Sequence, residues 1–266
     1  MDVERMHRGG YTLAASAIAA QLYTLREYTK TPDDVARTLE KVRAIGYEAV
    51  QLSALGPIEP DQLGKLLDEN GLTVCATHTS FDRMRDELDA VAAEHAEWNC
   101  KYVVIGGLPA AYRNAEGYSR FAKEGTEVAR ALAERGLVFG YHNHAFELEA
   151  FYGRTGLATL YDDSDQEVFT AEIDTYWIQF GGGDPAWWIE RLAGRTPLVH
   201  LKDMTIRDNQ PIMAEVGEGN MNFAAILEAC RSAGVEWYIV EQDHCERDPF
   251  ESLAISLRNL REMGLQ

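Results

Sequence analysis

Basic residues are scarce in this chain of 266. Lys and Arg number 25 against 43 Asp and Glu, giving a formal net charge of −18. With no basic surplus to neutralise phosphates, a nucleic acid or an anionic membrane surface is excluded as partner. A small phosphorylated substrate held by one or two local cations is not. Long apolar runs are also missing, and no stretch approaches the roughly 20 residues of a membrane span. The four cysteines, Cys75, Cys100, Cys230 and Cys245, form no C-x-x-C pair. Buried, reduced thiols in a cytoplasmic protein are the expectation. No Pro/Ser-rich linker or low-complexity tract divides the chain. A Gly-rich phosphate turn, the mark of a doubly wound dinucleotide fold, is absent from Gln21-Leu-Tyr-Thr-Leu-Arg26 after the first apolar run.

What is present is alternation. Short apolar runs suited to strands lie at Ile18–Tyr23, Ala49–Ser53, Thr73–Thr79, Tyr102–Gly106, Val138–His144, Phe169–Asp174, Leu198–Lys202 and Tyr238–Gln242. Amphipathic stretches separate them. Thr31-Pro32 opens a helix whose apolar positions Val35, Leu39, Val42 and Ile45 recur at helical spacing, and Gly46 closes it. Pro60–Asn70, Asp86–Trp98, Ala115–Arg135, Asp184–Leu192, Asn222–Ala233 and Pro249–Met263 repeat the theme, most of them with a closing Gly. The fifth connection, Phe151–Gln166, carries Gly153, Gly156 and an acidic cluster and has room for a short helix only. Eight strands and about eight helical connections predict one α/β domain, a parallel eight-stranded (β/α)8 TIM barrel over residues 16–266.

Residues 1–15 are read as an extension outside that fold. Arg5, His7 and Arg8 before Leu13-Ala-Ala-Ser-Ala-Ile-Ala-Ala20 also resemble an export signal. The eightfold count favours assigning Ile18–Tyr23 to the first strand.

Four runs in the second half end in residues that ligate metals. They close on His142-Asn143-His144 followed by Glu147, on Asp174, on His200, and on Glu241. A buried strand that ends on such a group is costly unless the group finds a partner. In a (β/α)8 barrel the strand C-termini share one rim, where active sites lie. Glu147, Asp174, His200 and Glu241 are therefore the candidate ligands of one divalent ion. Three carboxylates and one imidazole suit Mn²⁺, Mg²⁺ or Co²⁺, with Zn²⁺ also possible. His142 and His144 lie two apart on one side of their strand, as do Glu172 and Asp174, and His200 and Lys202. Either histidine is an alternative fifth-strand ligand or a substrate contact. Lys202 is a cation for an enolate or phosphate oxygen. Gln21, Tyr23, His78 and Trp177 are candidate substrate contacts. Trp187 and Trp188 fit a helical packing pattern, and Gly217-Glu-Gly219 reads as a flexible turn.

Six segments carry a family resemblance: Gln21-Leu-Tyr-Thr-Leu-Arg26, Tyr141-His-Asn-His-Ala-Phe-Glu147, Glu172-Ile-Asp-Thr-Tyr-Trp177, Val199-His-Leu-Lys-Asp203, Gly217-Glu-Gly219 and Ile239-Val-Glu-Gln-Asp243. In this order they resemble the xylose isomerase-like TIM barrels grouped as sugar phosphate isomerases/epimerases. The resemblance implies a metal held by Glu, Asp, His and Glu, at Glu147, Asp174, His200 and Glu241. Many members carry the first Glu at the very end of the fifth strand, where this chain has His142-Asn143-His144. That departure points towards the branch with inosose dehydratase-like and keto-glycoside-processing proteins.

The expected chemistry is proton abstraction beside a carbonyl of a keto sugar or cyclitol, phosphorylated or free. Glu147 or Glu241 serves as base, and the metal acts as Lewis acid on an enediolate. Return of the proton on the opposite face gives isomerisation or epimerisation. Protonation of a beta leaving group by His142, His144 or Lys202 gives elimination instead. Phosphodiester cleavage, known on this barrel type, is opposed by the charge of −18. A metal-free sugar-binding barrel is a further alternative, and a homo-oligomer is possible for such barrels.

Overall fold

The computed structural model describes residues 18–265; the extension expected over residues 1–15 lies outside them. Eight parallel strands close into a barrel: β1 (Ile18–Gln21), β2 (Ala49–Leu52), β3 (Thr73–His78), β4 (Tyr102–Ile105), β5 (Val138–His142), then, beyond the short hairpin β6 (Ala150–Phe151) and β7 (Arg154–Thr155), β8 (Phe169–Asp174) and β9 (Leu198–Leu201), and, beyond the hairpin β10 (Asp203–Arg207) and β11 (Gln210–Ala214), β12 (Trp237–Val240). Closure is made by β1, which pairs with β2 on one side and with β12 on the other, Ala19 facing Ala49 and Ile239. The eight-stranded parallel barrel expected from the alternation is therefore the architecture observed.

Helices wrap the outside. The first, α1 (Pro32–Ile45), has the full set of end signals. Thr31 and Asp34 form a reciprocal capping box, Pro32 stands at the first turn, and Gly46 takes the left-handed conformation at φ 114°. Next come α2 (Pro60–Glu69), α3 (Phe81–Asp86), α4 (Leu88–Glu97), α5 (Ala115–Ala133), α6 (Gly156–Asp163), α7 (Thr175–Phe180), α8 (Pro185–Arg191), α9 (Phe223–Ala233) and α10 (Pro249–Glu262).

Several boundaries differ from the sequence expectation. The first strand stops at Gln21, and Leu22–Tyr28 winds into 3-10 turns, because the Gln21 side chain accepts from Tyr23 N and starts a helical turn. The helix expected over Asp86–Trp98 is α4, which starts at Leu88, and an unanticipated short helix, α3, capped by Ser80, precedes it across a break at Glu87. The β10–β11 hairpin was not anticipated. Its turn residues Asp208 and Asn209 both have positive φ, the conformation that two-residue hairpin loops require.

Strand alternation stratifies the barrel interior. Lower inward positions are apolar, with Ala19, Ala49, Cys75, Tyr102, Val104, Leu198 and Ile239 packed as one cluster. Gly140 leaves room there for Val104, whose methyl would stand 2.9 Å from an added Cβ. The next inward position on six strands is polar: Gln21, Gln51, His142, Glu172, His200 and Glu241, all buried. The core between barrel and helices is the larger apolar cluster, where Tyr161 meets Tyr141 and Phe169 edge to face and Phe121 meets Tyr141 at a tilt. Among the described residues, no helix is long and apolar enough to cross a membrane.

Candidate functional site

The site begins one layer below the rim. Gln21 donates its amide to Gln51 Oε1 at 2.7 Å, and Gln51 Nε2 donates to Glu172 Oε1 at 2.7 Å. His200 Nε2 lies 2.6 Å from the same Gln51 oxygen and 3.1 Å from Glu172 Oε2. Both neighbours only accept there, so Nε2 carries the hydrogen. The other nitrogen, Nδ1, points up towards Glu241 Oε2 at 2.8 Å. His142 is oriented in the same manner. Its Nδ1 faces the carbonyl of Gly106 at 3.3 Å, an acceptor, and Nε2 is turned to Asp174 Oδ2 at 3.1 Å. Gly106 can approach this closely because it lacks a Cβ, which would stand 2.8 Å from His78 Nδ1.

Asp174 divides its carboxylate between two tasks. Oδ1 accepts from Trp177 N at 2.9 Å and caps α7, while Oδ2 is left for the interior. As a result, one nitrogen each from His142 and His200 and one oxygen each from Asp174 and Glu241 lie within 4.8 Å of one another. All four residues are buried. Imidazoles whose outer nitrogens are fixed by a carboxylate, an amide or a carbonyl, with the inner ones aimed at a carboxylate pair, are suited to hold a divalent ion. A second group, His78, Glu172 and His200, adjoins it, with His78 Nε2 2.7 Å from Glu172 Oε2.

The electrostatics follow from this crowding. Burial opposes charge on Glu172, but His200 and His78 hold its carboxyl well below the ordinary range. At Asp174 burial is likewise outweighed, chiefly by Lys202, and the carboxyl titrates at about 2. Glu241 is depressed strongly by Lys202 and His200 against the cost of burial. His200 goes the other way: burial disfavours its charge, yet Glu172 and Glu241 raise it to about 10. Its extra proton therefore lies on Nδ1 towards Glu241, and a metal at that nitrogen would replace it.

Lys202 stands in the middle of the acids. Its Nζ is 2.8 Å from Asp174 Oδ2, 2.5 Å from Glu241 Oε2 and 2.8 Å from Asp243 Oδ2. Above lies a cavity of about 380 Å³, whose lining includes Tyr23, Ser53, His78, His142, His144 and Glu241. His144 Nδ1 and Trp177 Nε1 are buried without a hydrogen-bond partner; their rings stand 5.5 Å apart, and His144 lines this space whereas Trp177, expected as a substrate contact, stands behind it. Burial, and then the nearby His142 and Lys202, push His144 down to about 3, which leaves it neutral.

The candidates from sequence are not all brought together. Asp174, His200, Glu241 and Lys202 meet. Tyr23, His78 and His144 border the cavity, and Gln21 lies beneath it as the first link of the amide chain. Glu147 is elsewhere. Its carboxylate accepts from Tyr141 Oη at 2.7 Å and from His144 N at 2.9 Å, on the outward side of β5. The fifth-strand place in the cluster is held by His142. Burial lifts Glu147 to about 7, against the pull of Tyr141. Gln51 escaped the sequence reading altogether. A polar residue in the otherwise apolar run Ala49-Val-Gln-Leu52 was the signal available. Glu172 was noticed only as sharing a face with Asp174.

Fold and site together define a (β/α)8 barrel with an imidazole–carboxylate cluster at the C-terminal ends of its strands. The family model described as xylose isomerase-like TIM barrel matches residues 39–263, and the chain belongs to that family. Among solved structures it is similar to a sugar phosphate isomerase/epimerase from Parabacteroides distasonis (TM-score 0.75, 21% identity, 97% of this chain and 98% of that one). It is also similar to a D-allulose 3-epimerase from Methylomonas sp. (TM-score 0.69, 13% identity, 92% and 96%). A third is a probable 3-DHS dehydratase from Bacillus anthracis (TM-score 0.70, 12% identity, 92% and 98%). At these identities the likeness is one of fold. No curated protein matches the chain in sequence.

Proposed function

We propose that this protein is a divalent-metal-dependent isomerase or epimerase acting on a keto sugar or cyclitol. The observation that carries the reading is the convergence of His142 Nε2, Asp174 Oδ2, His200 Nδ1 and Glu241 Oε2 at the barrel mouth, with both imidazoles oriented from behind. These four are the proposed ligands, His142 taking the part that the strand-end pattern and the family resemblance implied for Glu147. Mn²⁺, Mg²⁺ and Co²⁺ suit two carboxylates with two imidazoles, and Zn²⁺ fits the imidazoles equally well. A bound ion would supply Lewis-acid polarisation of a carbonyl and its neighbouring hydroxyl.

The chain's own groups do the rest. Glu241 borders the cavity and takes the proton beside the carbonyl. His144, neutral and with Nδ1 unpartnered, faces a substrate hydroxyl, with Trp177 Nε1 as a donor next to it. His78, backed by Glu172, serves the far side. Among the described residues no Lys or Arg lines the cavity, whereas Asp82, Glu241 and Asp243 do. A dianionic phosphate is disfavoured there, so the substrate class is an uncharged polyhydroxy ketone.

Elimination is the second reading. A proton delivered by Lys202 to a beta leaving group would turn the same enediolate into a lyase product, and a probable dehydratase is among the structural neighbours. Proton NMR in D₂O with candidate keto sugars separates the two. Deuterium incorporation with a changed stereocentre supports isomerase chemistry, and loss of water or an alcohol supports the lyase. Metal analysis after chelation and reloading tests the centre itself. Absence of stoichiometric divalent metal in the wild type would sink the reading.

A further inference from the structure

Lys202 raises a problem of charge and of space. Asp174 Oδ1 is committed to the α7 cap, so Oδ2 is its only atom at the centre. That oxygen already meets Lys202 Nζ at 2.8 Å, and Glu241 Oε2 meets the same Nζ at 2.5 Å. These are the two carboxylate oxygens that a divalent ion would take. The third carboxylate on Nζ, Asp243, is not one of the four converging ligands, and it borders the cavity. An ammonium has three N–H donors, and here each faces a carboxylate, so none is left for a substrate oxygen.

We propose that Lys202 is the resident counter-ion of this centre, competing with the divalent cation for Asp174 Oδ2 and Glu241 Oε2 and retained by Asp243 once the cation has taken them. The inference rests on the metal-centre reading above. Its geometry is favourable because the Lys202 main chain is fixed: its N donates to Thr175 Oγ1 at 3.0 Å and its O accepts from the same hydroxyl at 2.9 Å. The flexible four-carbon stem alone needs to move. Two monopoles of like sign on shared oxygens repel strongly at low dielectric, so occupancy by the ion and by the ammonium is mutually exclusive at those atoms. Displacement frees two of the three N–H donors and turns them towards the cavity. Loading the ion thus prepares Lys202 to hold a substrate oxygen.

The test compares the wild type with Lys202→Met, which keeps the length of the stem and removes the charge. After chelation, each is titrated with Mn²⁺ by isothermal calorimetry at one fixed pH. Lys202→Met should tighten Mn²⁺ binding by about tenfold or more, since no ammonium has to be displaced. Without metal the variant should melt below the wild type, and saturating Mn²⁺ should narrow the gap. In the wild type, amine-reactive labelling read by peptide mass spectrometry should modify Lys202 faster with Mn²⁺ than without, a readout that survives should the variant fold poorly. Unchanged or weaker Mn²⁺ binding by Lys202→Met, or labelling indifferent to Mn²⁺, overturns the proposal while the metal centre stands. If neither protein binds Mn²⁺, Co²⁺ or Zn²⁺, the metal-centre reading falls and the proposal with it.

Discussion

Glu172 is the residue on which the rest of the site depends, although it reaches neither the cavity nor the converging ligand atoms. It receives Gln51, His78 and His200 at once, and through His200 it sets which nitrogen faces Glu241. Glu172→Gln keeps the shape and weakens that orientation. Divalent-metal affinity by calorimetry should fall about 10–100-fold, the usual cost of losing an outer partner of a ligating imidazole, with the far-UV spectrum retained. Glu147 belongs to this scale as well. It holds the His144 amide and the Tyr141 phenol, and so fixes the turn that presents His142 and His144. Its folded pKa of about 7 exceeds the value of 4.5 for an unperturbed glutamate. Between those values the folded state keeps a proton that the unfolded chain has lost, so stability falls as pH rises through the window. His144, held neutral in the fold, contributes the opposite slope over the same window, so the comparison is between proteins. In urea midpoints from pH 4.5 to pH 7.5, the stability of the wild type relative to Glu147→Gln should fall by up to about 3 kcal/mol as pH rises, and parallel profiles would assign the slope to other groups.

At the scale of elements, the loops after the strands decide what stands above the site. Asp203, first residue of the β10–β11 hairpin, accepts from the main-chain N–H groups of Met204, Gly217, Gly219 and Met221. One carboxylate thereby gathers the hairpin and the Gly217-Glu-Gly219 segment into a unit. Gly219 is needed because a Cβ there would stand 2.2 Å from Asp203 Oδ1. The segment is therefore a clamped loop rather than the flexible turn its composition suggests. Asp203→Ala should cost about 1–3 kcal/mol through amides left unpaired. Hydrogen exchange should rise in residues 215–221 and stay unchanged in β12. Most of the elements were legible in the sequence, because helix caps and apolar runs are local signals. The β10–β11 hairpin was missed although Asp208-Asn209 between two β-type runs carries the turn chemistry. The short α3 was missed as well, because a six-residue helix marked only by the Ser80 cap is a weak signal.

On the scale of the whole molecule, net charge and the closed barrel act against each other. A charge of −18 repels itself across a compact body, and the acids at the mouth add to that repulsion where the dielectric is low. Sodium chloride raised from about 0.02 to about 0.5 M should raise the melting temperature by a few degrees, through screening with a Debye length of roughly 30 Å falling below 10 Å. A melting temperature insensitive to salt would mean that local ion pairs already balance the surface. The sequence by itself determined the barrel, since eight apolar runs separated by capped helices need no long-range information to be recognised. It also determined the sign of the charge and the rim on which chemistry-bearing residues would gather. Which of them meet was decided by tertiary structure alone. Alternation and strand register aim His142, rather than Glu147, at Asp174, pairing of β12 with β9 brings Glu241 to His200 and Lys202, and closure of the barrel brings Gln51 across to Glu172 and His200. Contacts between strands far apart in the chain arise only when the sheet closes, and no local pattern of residues encodes the distance between them.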